Sequence, residues 1–382
     1  MPYYQKRQTP HRGFIRVNPG EFVETEKWPR GNFLVAAASY RKERGGCMVI
    51  PFLEFKPDVA IRMANNKIQT LVKKGKNLGF YMSDMNERLP FTDGVCLLVP
   101  PDKESRVNFT NNRDATFEEI KENPGKGLSV VDWDEDIIAK VIWHAESEED
   151  GGILSRVHYL VAAVNGRWVE DTMHIVEENS SRVELRSVQP FPVILQRYMA
   201  QNIGREDAPC IVVDVDWDVV RVIVFFEVKG DFLPVFIRFL DGAPGSQTQN
   251  LGINALLKNL GKDPDFEGSL YQISGSIEAE SQTEAGRNII NRHILHLAEL
   301  IQNTWRGCVN THTGTLEIPP VGLCDVPIFV TGLLRYPDKG IRGLFDILGS
   351  HLPRLKRLTE DESNHCEFDH LIFAMKAFHP SL

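Results

Sequence analysis

The segment from Ile211 to Phe239 constrains the fold of this chain more than any other part of it. Its sequence is IVVDVDWDVVRVIVFFEVKGDFLPVFIRF. Continuous Val, Ile and Phe runs are typical of strands buried on both faces, and Lys229-Gly230-Asp231 is a hairpin turn signal. The segment therefore predicts three successive strands, with an acidic bend from Asp214 to Asp218 between the first and the second.

The composition is that of a globular protein with more than one domain. The chain has 382 residues, of which 42% are hydrophobic and 25% charged, and this length is typical of two or three domains. The formal net charge of -9 argues against nucleic-acid binding, because phosphate backbones are bound by basic surfaces. No apolar run approaches the roughly 20 residues that span a bilayer, and the N-terminus lacks the apolar core of a secretory signal. We therefore expect a cytoplasmic protein.

The cysteines do not have the spacing of a metal site. The chain has six of them, and no two form a Cys-x-x-Cys pair. In a cytoplasmic protein such cysteines are expected to be reduced, and in apolar surroundings they act as small buried hydrophobes. The sequence therefore predicts no zinc site and no disulfide framework.

Strand and helix signals alternate along the rest of the chain. Strand patterns cover 33–40, 47–55, 137–144, 156–164, 183–188 and 326–331, and helical spacing covers 61–78, 117–122, 169–179, 192–201, 251–260, 278–305 and 340–352. The helix from Glu278 to Trp305 is predicted as one continuous element with a single apolar stripe. The strand-turn-strand units at 33–55 and 211–239 are similar in plan, as expected of a duplicated fold.

Four longer segments carry a resemblance to a known family. They are Leu89–Lys103 (LPFTDGVCLLVPPDK), Arg156–Met199, Ile211–Phe239 and Val326–Leu352. In element order and apolar pattern they resemble the family of PilM, the actin-like cytoplasmic protein of type IV pilus assembly, and of GspL in type II secretion. The resemblance covers about residues 33 to 355.

The resemblance implies an α/β, actin-like (ribonuclease H-like) two-lobed fold with a small inserted α+β domain. The expected boundaries follow from the matched segments. They are 1–30 for an irregular N-terminal segment, 31–92 for part of the first lobe, 93–188 for the inserted domain, 189–205 for the return helix of the first lobe, 206–358 for the second lobe and 359–382 for a C-terminal tail.

The nucleotide positions that the resemblance implies are Asp214, Asp216 and Gly332. In this fold an Asp at the end of the first strand holds Mg²⁺, and glycines let backbone N–H groups approach phosphate. Here Trp217 and Asp218 replace the glycine-containing turn, and Leu333 stands where a second glycine is expected. The first hairpin turn, Ala37 to Lys42, has neither a carboxylate nor a glycine. The sequence therefore predicts a degenerate cleft with no cofactor, and ATP with Mg²⁺ is disfavoured.

The partner that the resemblance implies is the cytoplasmic N-terminal tail of a bitopic inner-membrane protein. An extended tail would bind between the inserted domain and the first lobe, on a free strand edge. The residues expected there are Val161, Ala163, Val188 and Phe191. The chain would then lie at the inner face of the membrane through its partner, and a homo-oligomeric ring is a further expectation.

Two alternatives stay open at this point. An active actin-like ATPase coupled to pilus or secretion-machine assembly would use the same fold. A metal site could use His293, His296 and Glu299 on one helix, although the sequence favours a solvated helix face for them. The cluster of His365, Cys366 and His370 near the tail could also carry chemistry, but no third orienting group can be named.

Overall fold

The chain divides into two compact units. The computed structural model describes residues 32–38, 47–52, 92–99, 105–112, 119, 137–147, 156–167, 184–204, 207–216, 219–240, 251–262, 270–313, 316, 322–358 and 373. Unit 1 is Met1–Asn202 together with His370–Leu382, and unit 2 is Ile203–Asp369. The range predicted for the second lobe, 206–358, falls inside unit 2.

Unit 1 contains a four-stranded mixed sheet. Its first two strands form an antiparallel hairpin, as predicted from the signals at 33–55, and its next two strands lie parallel on the other side of the first. The order is β2-β1-β3-β7. The strands are β1 (Asn32–Ala38), β2 (Cys47–Phe52), β3 (Thr92–Val99) and β7 (Glu184–Pro190).

A second, three-stranded antiparallel sheet lies in the chain between β3 and β7. Its strands are β4 (Ser105–Asn112), β5 (Ile137–Ser147) and β6 (Arg156–Asn165), and its order is β4-β6-β5. This sheet falls inside the range 93–188 predicted for the inserted domain. Most of β3 and β7 also falls in that range, and both strands pair in the four-stranded sheet.

Unit 2 contains a five-stranded sheet, and the segment Ile211–Phe239 supplies most of its first three strands. The strands are β8 (Cys210–Val215), β9 (Val220–Val228), β10 (Asp231–Leu240), β11 (Ile328–Gly332) and β12 (Leu355–Arg357). The order is β10-β9-β8-β11-β12. β9 is antiparallel to both β8 and β10, whereas β11 is parallel to β8 and β12.

The order of unit 2 is that of a ribonuclease H-like lobe, in which the strands lie third, second, first, fourth and fifth and only the second runs antiparallel. The described strands of unit 1 repeat the same plan, since a hairpin stands on one side of β1 and two parallel strands stand on the other. The predicted α/β, actin-like fold with two related lobes and an inserted sheet is therefore confirmed.

The β9–β10 hairpin turn forms where the sequence predicts it. Lys229 and Gly230 are its two central residues, with φ of 53° and 86°. Positive φ at both positions is characteristic of a type I′ turn, whose twist matches that of the flanking strands. Glycine accepts this conformation without steric cost, which explains its position in the turn.

The described residues include five α-helices. They are α1 (Phe191–Asn202) in unit 1, and α2 (Ile253–Asn259), α3 (Leu270–Ser281), α4 (Glu284–His312) and α5 (Lys339–His351) in unit 2. None of the helices in the described ranges is long and apolar enough to cross a membrane. The helices predicted over 61–78 and 169–179, and nearly all of that over 117–122, lie outside the described residues.

The prediction of one helix from Glu278 to Trp305 is wrong, because the chain breaks between α3 and α4. Thr283 has extended backbone angles, φ -90° and ψ 152°, and its hydroxyl accepts a hydrogen bond from the Gly286 N–H at 2.9 Å. This is an N-cap, which starts a new helix by satisfying one of its free amides. The apolar stripe continues on α4 alone.

The C-terminal segment contributes to the core of unit 1. Phe373 is fully buried. Its ring lies 4.5 Å from the ring of Tyr198 and 6.4 Å from that of Phe191, both on α1. The chain therefore returns to unit 1 after completing unit 2, and it adds an aromatic side chain to the face of α1.

Candidate functional site

The candidate site lies at the carboxyl ends of β8 and β11. The strand order of unit 2 reverses between these two strands, because the chain first builds outward from β8 through β9 and then adds β11 on the opposite side. Such reversal points form the usual ligand sites of open α/β sheets. Two of the predicted cofactor residues, Asp214 on β8 and Gly332 at the end of β11, are in the last two rungs of this pair.

Three buried charged side chains meet at the end of β8. Asp214 and Asp216 are two residues apart in extended chain, so their side chains leave the same face of the sheet. Arg221 on β9 stands directly opposite Asp214 in the antiparallel register. Its Nη1 donates to Asp214 Oδ2 at 2.7 Å and to Asp216 Oδ2 at 3.1 Å. We call Asp214, Asp216 and Arg221 the ion triad.

The ion triad is almost completely removed from solvent. Side-chain exposures are 0% for Asp214, 6% for Asp216 and 3% for Arg221. Buried charges are tolerated when they are paired and hydrogen-bonded, and removing one partner leaves a costly uncompensated charge. One guanidinium nitrogen thus bridges the two carboxylates that the sequence assigns to a degenerate nucleotide site.

The bend after Asp216 is closed by backbone contacts. The Asp216 N–H donates to the Val219 carbonyl at 2.9 Å, and the Asp216 carbonyl accepts from the Ile253 N–H of α2 at 3.2 Å. Trp217 and Asp218, the next two residues in the sequence, lie outside the described residues. The bend is thus fixed to β9 and to the first residue of α2.

Gly332 is required by the packing of β11 against β8. Its φ is +75°, a left-handed conformation that side chains disfavour, and a Cβ added there would collide with the Val215 carbonyl oxygen and lie 2.9 Å from Asp214 Oδ1. This close approach explains the glycine without any ligand. Its assignment as a cofactor-binding residue stays a prediction.

The N-terminus of α5 follows the β11 loop, and its first amides are satisfied from within the protein. Asp338 accepts from the Lys339 N–H at 2.7 Å. The buried Ser274 hydroxyl of α3 accepts from the N–H groups of Gly340 and Ile341 at 3.0 and 3.2 Å. Helix N-terminal amides are the usual anion binders of nucleotide folds, and here these three donate to side chains of the chain itself.

His293 is buried, so the predicted solvated helix face is wrong at this position. It contacts the segment before α2, where its Nε2 donates to the Leu251 carbonyl at 3.0 Å. Burial lowers the pKa of His293 from 6.5 to about 4; the hydrogen bond to Leu251 acts in the opposite direction and His296 reinforces the lowering. The neutral imidazole of His293 therefore holds α4 against the segment before α2.

Across the ranges that the structure describes, no group of three metal-ligating side chains is close enough to hold an ion. At the other end of α4, His312 donates through Nε2 to the Val235 carbonyl of β10 at 3.1 Å, and burial lowers its pKa as well. The cluster of His365, Cys366 and His370 lies outside the described residues.

The described cysteine side chains are Cys210, Cys308 and Cys324, and all three are free thiols. Cys210 and Cys308 are fully buried, and burial raises the pKa of both, that of Cys308 to about 12. They agree with the predicted role of small hydrophobes. Cys324 is exposed, so that expectation is wrong at this position, which lies in a single 3-10 turn, Leu323–Asp325.

The expected strand edge for a partner is not at β6. Val161 and Ala163 lie on this strand, which pairs with β4 on one side and β5 on the other. Their side chains are fully buried. The expectation that they form a free edge is therefore wrong, because non-local pairing covers both sides of the strand. Any direct role for them in partner binding stays a prediction.

The other two predicted partner residues lie at the junction of β7 and α1. Val188 belongs to β7, and Phe191 is the first residue of α1. Phe191 is buried and faces Phe373. These residues are part of unit 1, but their contact with a partner stays a prediction.

Arg221 is the functional residue that sequence reasoning missed. The signal was a single cation inside a continuous apolar strand, Val219 to Phe226. A lone charge in such a strand needs a buried counter-charge. Asp214, Asp216 and Asp218 all precede it within seven residues, but the pairing depends on a register that the sequence does not reveal.

Comparison with known proteins finds only distant structural likeness. No family model matches the chain, and no curated protein matches it. Among solved structures, the chain is similar to a PilM-PilN type IV pilus biogenesis complex, with 10% identity and a TM-score of 0.48, covering 92% of this chain and 99% of that one. It is also similar to a Bacteroides thetaiotaomicron protein with actin-like ATPase fold and unknown function, with 9% identity and a TM-score of 0.37, covering 92% and 98%.

A third similar structure is an apo psk41 ParM protein, with 9% identity and a TM-score of 0.25, covering 73% of this chain and 90% of that one. Identities and TM-scores this low carry no functional argument. The fold assignment rests on the strand order of the two larger sheets.

Proposed function

We propose that this protein is an actin-like scaffold of a type IV pilus or type II secretion inner-membrane platform. It binds the cytoplasmic tail of a bitopic membrane partner and does not hydrolyse ATP. The proposal joins the sequence resemblance to two features of the described residues, the ion triad of unit 2 and the edges of the three-stranded sheet of unit 1.

The observation that carries the proposal is the ion triad. A nucleotide site of this fold needs carboxylate oxygens for Mg²⁺ and free amides for phosphate. In this chain Asp214 and Asp216 accept hydrogen bonds from Arg221 instead. The first amides of α5 donate to Asp338 and Ser274. Both kinds of contact are made within the protein, which favours a role in binding over one in catalysis.

Within the described residues, β4 and β5 are the outer strands of the three-stranded sheet, because β6 pairs with both of them. Residues Tyr159 to Val164 of β6 are fully buried on either side of the sheet. An extended peptide can join such a sheet only as an additional strand at β4 or β5. The docking edge predicted from the sequence is therefore moved from β6 to one of these two strands.

Of the two edges, β4 is the better suited to an added strand. β5 has a register break between Val141 and Trp143, and such bulges protect an edge from pairing. β4 pairs with β6 over eight residues without a break. We therefore propose that the partner's tail binds along β4.

Two adjacent proline substitutions test this edge. Successive residues of an edge strand direct their N–H groups alternately toward the sheet and away from it. Of the variants Val107→Pro and Asn108→Pro, one therefore removes an N–H that points away from the sheet. The other removes an N–H that hydrogen-bonds to β6. The outward variant should keep the melting temperature and lose the partner, whereas the inward variant should lose stability.

Binding would be measured by fluorescence anisotropy with the synthetic tail of a bitopic protein that co-purifies from membranes. Circular dichroism would report the fold of each variant. Tail binding that survives both proline substitutions in folded protein excludes the β4 edge. ATP turnover by the wild type, lost in Asp214→Ala, would replace the scaffold with an actin-like ATPase.

Self-association into a ring belongs to the same proposal, since head-to-tail contacts of one chain close into rings. Light scattering after size exclusion, with and without the partner's tail, would give the number of copies.

A further inference from the structure

We propose that the guanidinium of Arg221 is the fixed cation of the β8–β9 hairpin. It occupies the position that a divalent metal ion would take between Asp214 and Asp216, and it prevents a metal ion from binding there. The inference deepens the proposed function, because a scaffold of this kind keeps its hairpin in place without nucleotide-linked metal.

The first step of the argument is geometric. Asp214 and Arg221 are cross-strand neighbours, and Asp216 follows on the same face of the chain. A single nitrogen, Arg221 Nη1, lies 2.7 Å from Asp214 Oδ2 and 3.1 Å from Asp216 Oδ2. Both carboxylates therefore direct one oxygen at the same point. A bridging cation would need that arrangement of oxygens.

The second step is chemical. Mg²⁺ and Mn²⁺ prefer carboxylate oxygens, and Mg²⁺ holds them at about 2.0–2.1 Å. Such an ion cannot share the point between the two oxygens with a guanidinium nitrogen, because cation repulsion and overlap both oppose it. Arginine also stays protonated at every physiological pH. The positive charge supplied by Arg221 is therefore permanent, whereas that of a metal ion depends on its concentration.

The third step is that the surroundings hold Arg221 in place. Its side chain is 3% exposed. On the opposite side of β8, the backbone of Gly332 approaches the Val215 carbonyl and the Asp214 carboxylate so closely that no side chain fits. The bend after Asp216 is hydrogen-bonded to Val219 and to Ile253 of α2. The guanidinium is thus part of a packed structure and not a mobile surface charge.

The test removes the cation and supplies a metal. Arg221→Ala leaves Asp214 and Asp216 facing an unfilled point, and Arg238→Ala, on the exposed side of neighbouring β10, is the matched control. Titration with Mn²⁺ would be followed by calorimetry and by the electron paramagnetic resonance of free Mn²⁺. We expect one Mn²⁺ per Arg221→Ala chain and a rise in Tm of about 2–4 °C or more at saturation. The wild type and Arg238→Ala should show neither.

A triple variant checks that the carboxylates are the ligands. Asp214→Asn and Asp216→Asn combined with Arg221→Met remove all three buried charges, and this variant should fold without binding Mn²⁺. Should Arg221→Ala be unfolded without metal, recovery of its near-ultraviolet circular dichroism on adding Mn²⁺ is the expected result. Arg221→Gln, which keeps one donor, repeats the measurement in a milder form.

Three outcomes would overturn the proposal. They are a folded Arg221→Ala that binds no Mn²⁺, a wild type that binds Mn²⁺ stoichiometrically at Asp214, and failure of both Ala and Gln variants to gain structure or metal. None of these measurements uses ATP or the partner's tail. Loss of the proposed function through wild-type ATP turnover, or through absence of a membrane partner, is therefore a separate result.

Discussion

Arg221 donates to Asp214 across the β8–β9 ladder at 2.7 Å, and both side chains are shielded from solvent. The sequence resemblance predicts a degenerate metal position at Asp214, and the stability of this ion pair determines whether a metal ion could displace Arg221. Four predictions concern this pair and the elements around it.

Replacing Asp214 with Ala should destabilise the protein by about 3–5 kcal/mol, because Arg221 would be left as a buried charge with a main partner missing. This is more than the loss of one ordinary hydrogen bond, roughly 0.5–1.5 kcal/mol. Urea denaturation followed by circular dichroism measures the change. Glu227→Ala, an exposed position on β9, is the control and should stay within about 0.5 kcal/mol. A cost for Asp214→Ala no larger than that of the control would show that the ion triad contributes little to the fold.

Mg-ATP should not raise the melting temperature of the wild type. A ligand at one hundred times its Kd would stabilise the folded state by about 2.7 kcal/mol, which thermal denaturation detects readily. The physical reason for the expected absence of a shift is that Arg221 Nη1 already lies between the two carboxylates, where the metal ion would have to bind. A clear rise with Mg-ATP that disappears in Asp214→Ala would contradict it.

Stability should fall as the pH drops from about 6.5 toward about 4. His293 has a pKa of about 4 in the folded protein against 6.5 for the ordinary group. Between these values the unfolded chain binds more protons, so stability is full above pH 6.5 and is lost as the pH falls. The size is on the order of 3 kcal/mol, and His312, whose pKa is also lowered, acts in the same direction.

His293→Gln tests this pH dependence, because glutamine keeps a donor toward the Leu251 carbonyl but does not titrate. The variant should flatten the pH profile of the free energy of unfolding between pH 4 and 6.5. His351→Gln, at an exposed position in the last turn of α5, is the matched control. An unchanged slope in His293→Gln would assign the acid sensitivity to other groups.

Thr283→Ala should cost about 0.5–2 kcal/mol, the usual effect of losing an N-cap. The Thr283 hydroxyl accepts from Gly286 N–H at the start of α4. Thr283→Ser keeps that oxygen and should remain close to the wild type. Thermal unfolding of the two variants side by side gives the comparison, and equal losses in both would show that the cap is not what separates α3 from α4.

The sequence predicts which segments of this chain form strands, but it does not predict which strands pair with one another. The apolar runs around Lys229-Gly230 fix β9 and β10, because a two-residue turn with positive φ allows few alternatives. The central position of β6 depends on pairing with β4, about fifty residues earlier in the chain, and no local pattern reports such a contact. Val161 was therefore assigned to an edge although it is covered on both sides.

The candidate site was predicted only in part for the same reason, because the pairing of strands cannot be read from the sequence. Asp214 and Asp216 stand out in the sequence because carboxylates rarely end a buried strand without a partner. To identify Arg221 as that partner, one must know the register between β8 and β9. This register depends on the length of the bend between the two strands. The break at Thr283 was missed for a different reason, since an apolar stripe outweighs a single capping residue when only periodicity is considered.

Phe373 determines the order in which the two units can be completed during synthesis. Unit 2 is one continuous stretch of chain, whereas unit 1 needs its last residues, among them the ring that packs against Tyr198. Domains commonly fold as they leave the ribosome, the N-terminal one first. In this chain the contact between Phe373 and Tyr198 can form only after unit 2 has been synthesised, because Phe373 follows unit 2 in the chain. A nascent chain stalled before Phe373 would already contain the complete ion triad but an unfinished first unit.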